Sequence, residues 1–457
     1  MSSTFGSLST ALSALQYNQS GLSVASGNVA NADVAGYTKR TLLGQTAGAG
    51  AIPAMWSRAD VAGSGVSIAG VQRSVDAFLD ARSRTENGRV AAAKVGADSL
   101  GRIEGAVNEP SDTGLQAHLS AFWSSWSTLA THPSDPAAQQ GVLAAGQVVT
   151  GDLSSTAHAI DSEWTGARTQ LDGVTADVNT TATELARLNH DIKLAKVTGT
   201  DANDLLDQRD LLTAKLATLT GADVSLQPDG TASVTLGGQN LVVGENATAV
   251  TVTGAGSMAS VGGNPIALQV GGTTVSVTSG TAGGLVDLLD TTLPGQASAL
   301  DGVASTLAST VNAQHHLGYD ANGTAGGDFF SGATAATIGV AITDRSQVAA
   351  AAAPGTVDGA NAAALAALAS SGTGPDATYR TFVSDLGSKA SVANQAVSSG
   401  QLLASSVDAS RASLSGVSTD EEMVSLVTYQ RGYEAAARVM TTLDSMLDTL
   451  INKTGVG

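Results

Sequence analysis

Apolar residues recur three and four positions apart along both ends of this chain, a period that fits an α-helix and not a β-strand. At the N-terminus Phe5, Leu8, Leu12, Leu15, Leu22 and Val29 keep the register, with Gln19 and Ser26 filling the steps between them. At the C-terminus Leu426, Tyr429, Tyr433, Ala436, Met440, Leu443, Leu447 and Leu450 keep it without a fault. Asp420, Glu421 and Glu422 oppose the positive pole of that second helix, and Gly455 lies past its end. Each helix carries one narrow apolar ribbon, so little burial offsets the entropy of ordering its backbone. Two such ribbons, even paired, leave apolar surface for neighbours to cover. The ends are therefore expected to be mobile in the monomer and to fold on assembly, with residues 1–40 and 413–457 cut by protease before the rest.

A third seam runs through Ile160, Trp164, Ala167, Leu171, Val174, Val178, Thr181, Leu185, Leu188, Ile192 and Ala195. Starting near Pro136, it predicts a helix of about 60 residues and roughly 90 Å, a rod whose apolar stripe is an ordinary core stripe. Further helices are expected near 75–107, 114–130, 201–219, 283–316 and 376–410, with a break at Leu414 to Val417. Between Gly221 and Gly280 the period switches to two. The Gly271-Gly272 turn pairs Leu268 with Val275 and Ile266 with Val277, and the Gly237-Gly238 turn places Val234 opposite Leu241 after a Pro228-Asp229-Gly230 turn.

The fold class expected is mainly α and multidomain, a long-helix bundle or coiled-coil rod built from both chain ends with an inserted small β-domain. The expected divisions are 1–40 with 413–457 as a terminal helical domain, 41–220 with 281–412 as a helical rod domain, and 221–280 as the β-domain.

Composition narrows the function. A net charge of −18 with only 22 Lys plus Arg repels nucleic-acid phosphate and anionic membranes. The absence of cysteine excludes disulfides and thiolate chemistry. The start, MSSTFGSLSTALSALQ, lacks the basic and continuously apolar regions of a secretory signal, and no apolar run approaches the ~20 residues that span a bilayer. A protein of this kind is expected to leave the cell, if it does, uncleaved.

No catalytic or metal constellation emerges, and no cofactor is expected. His315 and His316 are adjacent and point to different sides of a helix. Asp320-Ala-Asn322-Gly323 with Asp328 lacks the repeated acids of a calcium loop and reads as a turn. Asp207-Gln-Arg209-Asp210 reads as a structural charge cluster, in which Arg209 ties the rod to its neighbour through Asp207 and Asp210.

The segment Gly27-Asn-Val-Ala-Asn31-Ala-Asp-Val-Ala-Gly36-Tyr37-Thr-Lys-Arg40 resembles the N-terminal signature of the flagellar axial proteins, with Ala35 where that family has proline. Gln430-Arg-Gly-Tyr433-Glu-Ala-Ala-Ala-Arg438 resembles the matching C-terminal helix. Four inner segments are similar to the hook-associated FlgK branch: Glu109-Pro-Ser-Asp112 with Phe122-Trp123, His132-Pro-Ser-Asp-Pro136, Asp204-Leu-Leu-Asp-Gln-Arg-Asp210, and Gly318-Tyr-Asp to Asp328-Phe-Phe330.

The resemblance implies a non-enzymatic adaptor at the extracellular hook–filament junction of the bacterial flagellum, polymerising through its paired ends. It implies as partners other copies of the chain, hook protein, a second junction protein, and an export chaperone on the C-terminal helix. Leu8, Leu12, Leu15, Leu22 and Val29 with Leu426, Tyr429, Tyr433, Met440, Leu443, Leu447 and Leu450 would form the assembly seam, and Asn31, Gly36 and Tyr37 the exit turn. A hook- or rod-type axial protein would share the ends but not the inner segments. A secreted adhesin-like protein or enzyme would place its activity in residues 221–280.

Overall fold

A computed structural model describes residues 2–47, 65–449 and 452. Most of the described chain is helical. Helix α1 spans Ser2–Ala30, and a hairpin of β1 (Arg40–Thr46) and β2 (Val66–Arg73) follows it. Next come α2 (Ala77–Val107), α3 (Leu115–Thr131), α4 (Pro136–Thr198) and α5 (Asn203–Thr220). The β1–β2 pair, of seven and eight residues, falls in a stretch assigned to the helical rod domain with no strand expected there, and it sits against α1, where Ser13 Oγ accepts from Val66 N at 3.3 Å.

Local chemistry sets the ends of the long helices. Asp76 caps α2 by accepting from the amides of Phe78 and Leu79, at 2.8 and 3.1 Å. Asp135 accepts from Ala137 N at 2.9 Å with Pro136 in the first turn, and Gly199 ends α4 at φ 71°. Helix α4 has 63 residues, about 95 Å at 1.5 Å each. Its stripe from Ile160 to Leu185 lies in one continuous core shared with α3, residues 293–311 and the β-sheets, and Leu188 and Ile192 beyond it are buried as well.

Seven strands fill the stretch between α5 and Gly280 in two antiparallel sheets. The first contains β3 (Asp223–Leu226), β4 (Ala232–Leu236), β5 (Gln239–Val243) and β6 (Asn246–Ala247); the second contains β7 (Val250–Thr253), β8 (Ala267–Val270) and β9 (Thr273–Val275). Leu268 pairs with Val275 as the Gly-Gly turn requires, but the ladder stops there, so Ile266 and Val277 lie outside it. Val234 faces Val242, not Leu241. The register shifts between Val234 and Thr235, and the bulge lets Leu241 and Val242 both be buried although they are consecutive.

Helices α6 (Gly280–Asp287) and α7 (Leu293–His315) are joined by a π-helical turn over Leu288–Thr292. Leu293 N bonds to Leu288 O, and Pro294 has no amide to give, so Leu289 O is left without a helical partner. Trp164 Nε1 donates to it at 3.0 Å, pinning this kink to α4. Short strands β10 (Phe330–Ser331) and β11 (Gly339–Val340), helix α8 (Ala360–Ala367), α9 (Pro375–Ser415) and α10 (Thr419–Asp448) complete the chain.

The inner segments singled out in the sequence meet in this core. Phe122, Trp126, His315, Phe329 and Phe330 form one aromatic cluster with ring centroids 4.8–6.2 Å apart. Asp376 on α9 accepts from Trp123 Nε1 at 2.7 Å and from Gln116 Nε2 at 2.9 Å, and Glu109 accepts from Tyr379 OH at 3.1 Å. Burial and the Glu109 carboxylate push the Tyr379 phenol well above its ordinary pKa.

Candidate functional site: the paired terminal helices and their anchor

Helices α1 and α10 pack on each other through small residues. Ala11, Gly21, Ala25 and Asn28 are buried on α1 and Ala436 on α10. The approach is tight: a Cβ at Gly21 would lie 2.5 Å from the Tyr429 ring, and one at Gly432 would lie 2.3 Å from Asn18 Oδ1. Tyr17 meets Tyr429 edge-on, with centroids 6.2 Å apart. Burial, with Tyr17 beside it, raises the pKa of the Tyr429 phenol.

The larger apolar residues of the ribbon flank this contact. Leu8, Leu15, Leu22 and Val29 on α1, and Leu426, Tyr429, Met440, Leu443 and Leu447 on α10, are each half-buried. Leu12 is 48% exposed and Tyr433 40%. Val424, Val427, Val439 and Met446 are exposed beside them. Leu450 and Gly455 lie outside the described residues, and the Phe5 side chain is not described.

The exit from α1 is held by a residue the sequence reading passed over. Asn28 is fully buried; its Nδ2 donates to Arg40 O at 2.8 Å, and its Oδ1 accepts from Arg40 N at 3.0 Å and Tyr37 OH at 2.9 Å. Asn31 makes only a local bond, Nδ2 to Gly27 O at 2.9 Å. Gly36 has φ 80°, which favours glycine, and a Cβ there would also push on the exposed Leu211 side chain at 2.6 Å. Burial raises the pKa of the Tyr37 phenol, and the Arg40 guanidinium lies over its ring at 4.9 Å.

Past the turn, the chain enters a buried charge cluster on α5. Asp207 Oδ1 accepts from Thr38 Oγ1 at 2.7 Å and from Arg73 Nε at 2.8 Å; Asp207 Oδ2 accepts from Arg40 at 3.3 Å. Arg40 also bonds Asp204, and Arg73 Nη2 bonds Asp210 at 2.6 Å. Arg209 grips Asp210 at 2.7 Å and donates to Gly230 O at 2.5 Å, in the turn before β4. Three arginines thus face three aspartates. Arg209 bonds Asp210, its neighbour on the same helix, and Gly230 O, but not Asp207, which is held instead by Arg73, Arg40 and Thr38, three residues the sequence reading missed. The three-residue spacing of Asp204, Asp207 and Asp210, one face of a helix, was the available signal.

Lys39 completes the joint. Its N–H donates to Ser415 O at 2.8 Å, and its Nζ lies 2.8 Å from Glu421 and 3.7 Å from Glu422. The bond to Glu421 holds the Lys39 ammonium above its usual pKa and Glu421 below the usual carboxylate value. Among the described residues, no group of three or more His, Asp or Glu side chains could hold a metal ion, and no helix is long and apolar enough to cross a membrane. Asp320 Oδ1 accepts from the amides of Asn322 and Thr324, both at 2.8 Å, which makes that segment a turn.

A family model described as the flagellar hook-associated protein FlgK helical domain matches residues 100–330, just over half of the chain. One for flagella basal body rod proteins matches residues 8–38, and one for the C-terminal part of flagellar basal body rod FlgEFG proteins matches 410–453. The flagellar hook-associated protein 1 of Bacillus subtilis is 29% identical over the whole of both chains. That of Salmonella typhimurium is 30% identical over 70% of this chain and 58% of its own length. The structure of the flagellar hook junction protein FlgK from Burkholderia pseudomallei has the same fold, with a TM-score of 0.65 and 17% identity over 75% of this chain and 100% of that one. The two ends match rod-type models common to several axial proteins, and the middle matches one that is not: the chain belongs to the FlgK family of flagellar hook-associated proteins.

Proposed function

We propose that the chain acts as a structural adaptor, not an enzyme, joining hook to filament by polymerising through its paired terminal helices. The observation that carries this is the split on α1 and α10. Gly21, Gly432 and the Tyr17–Tyr429 pair make the close contact within the chain, while Leu8, Leu12, Leu15, Leu22, Val29, Leu426, Tyr433, Met440, Leu443 and Leu447 stay half-buried or exposed along the same pair. Aligned half-buried apolar side chains on a two-helix ribbon suit burial between subunits, and Leu450 would extend that seam. On this reading residues 1–40 and 413–457 form the inner layer, 41–220 with 281–412 the rod, and 221–280 an outward β-domain. Asn31, Gly36 and Tyr37 shape the exit from α1, and the Asp207–Arg209–Asp210 cluster braces it. The partners are further copies of the chain, hook protein on one face and a second junction protein on the other. An export chaperone covers α10 beforehand, and the chain is exported to the cell exterior.

The test adds purified protein to isolated hooks and scores capping by electron microscopy. Replacing Leu443 and Leu447 with Ser removes two apolar side chains from the outer side of α10 and leaves the Gly21–Tyr429 contact in place. Capping should fall by at least about tenfold, as about half of the ~1.5–3 kcal/mol for fully burying a leucine remains to be gained on assembly and is lost at each of the two positions. Undiminished capping by the double variant would rule the seam out.

A further inference from the structure

The terminal pair joins the rod through two chain crossings, residues 35–40 out of α1 and residues 415–418 between α9 and α10, and the two are held differently. The first is anchored on α5. Asp207, only 7% exposed, takes Thr38, Arg73 and Arg40 on its two carboxylate oxygens. Arg73, fixed at the end of β2, forks between Asp207 and Asp210 at 2.7 and 2.6 Å. Among the described residues, the hydrogen bonds and ion pairs that reach residues 415–422 from outside α9 and α10 all come from Lys39. The second crossing is thus fastened to the first, and the first to Asp207.

We propose that Asp207 is the positioning residue of this joint, fixing through Thr38 and Arg73 the direction in which the paired terminal helices leave the rod, with Lys39 carrying α10 along. Forked, charge-assisted hydrogen bonds are directional, whereas apolar contacts slide. Inside a cluster this buried, swinging the pair would separate charges without water to replace their partners. The same frame extends through Asp210 and Arg209 to Gly230 O, so the turn that opens β4 shares the reference point. The consequence for assembly rests on the proposed adaptor role; the assignment of the joint itself does not.

Because the chain has no cysteine, paired labels can be placed without background. Ser26→Cys on α1 and Glu184→Cys on α4 are exposed positions on either side of the joint, and Arg431→Cys is exposed on α10. Spin-label distance distributions are measured on the full-length monomer. Asp207→Asn should broaden both the 26–184 and the 431–184 distributions about twofold, as the joint samples several orientations. Lys39→Met, which leaves the α1–α10 packing in place, should broaden 431–184 by less than Asp207→Asn does and leave 26–184 unchanged, and Arg73→Lys, which keeps the charge but loses the fork, should give an intermediate 26–184 width. Far-UV helix content and the melting of the rod should be unchanged in all three. Unchanged widths in Asp207→Asn would overturn the assignment. So would collapse of rod helix content in both Asp207→Asn and Arg73→Lys, which would make the cluster a requirement of the fold instead of a positioner. The readout is made on the monomer, so a failure of hook capping leaves it untouched.

Discussion

Gly21 and Gly27 lie on the same helix, yet the same substitution should move its stability in opposite directions. Replacing either with Ala adds about 1 kcal/mol of helix propensity. At Gly27 no heavy atom lies within 4 Å of the added Cβ, so the gain is kept in full. At Gly21 the Cβ would sit 2.5 Å from Cδ1 and Cε1 of Tyr429, about 1 Å inside ordinary contact. That ring is braced edge-on against Tyr17, so the helices must part, an overpacking cost of about 1–3 kcal/mol. The propensity term is common to both variants and cancels between them. Gly27→Ala should therefore exceed Gly21→Ala in stability by about 1–3 kcal/mol, roughly 5- to 150-fold in protection. Amide hydrogen exchange of peptides covering residues 10–30 in the free chain measures this. Equal protection in the two variants would show that α1 and α10 do not meet through the small-residue face.

Two further expectations concern the rod and its β-domain. Asn189, fully buried on α4, bonds Ala232 N at 2.9 Å, Ala232 O at 2.9 Å and Gly244 O at 2.7 Å; Asn189→Ala orphans all three and should cost ~3 kcal/mol, seen as faster proteolysis within residues 221–280 while α4 stays helical. His315 is buried with Nδ1 on Gly327 O at 2.7 Å and Nε2 accepting from Ala349 N at 2.9 Å, and burial lowers its pKa below the ordinary 6.5. The unfolded chain then takes up a proton first, so stability is complete above about pH 6.5 and declines as pH falls from there through the depressed value. His315→Gln should flatten the urea-midpoint profile between about pH 7 and 5, and an unchanged slope would remove His315 as the cause.

What could be read in advance follows from range. Helix ends depend on neighbours in sequence, so Pro136 marked the start of α4 closely, and the Gly271-Gly272 turn placed Leu268 on Val275. The register around Gly237-Gly238 slipped because the bulge at Val234 and Thr235 answers to burial of Leu241 and Val242, which the alternating pattern alone does not encode. The β1–β2 hairpin was invisible for a similar reason: its strands take their place from contacts with α1, not from a turn signature. Arg73 sits 134 positions from Asp207, and nothing local joins them.

The clearest divergence is on the terminal helices, and it bears on how such a pair works. Periodicity picks out large apolar residues because they dominate the area that burial removes from water, so the leucines are read as the contact. Here the closest approaches within the chain are at Gly21, under the Tyr429 ring, and at Gly432, against Asn18, with Ala11, Ala25 and Ala436 buried on the same helices, and such residues bring the backbones close and bury little area each. A pair of this kind is held by proximity and by the Asn28 and Asp207 anchors at its base more than by its own hydrophobic yield. The leucines remain a surplus. Had they been spent on the α1–α10 contact, the monomer would be more stable and the outer side of the pair would offer a neighbour little to bury. Substituting Leu12, at 48% exposure, with Ser should accordingly leave the monomer's melting profile within about 0.5 kcal/mol of wild type. On the same reading it should weaken capping of hooks, and a large loss of monomer stability would place Leu12 inside the pair after all.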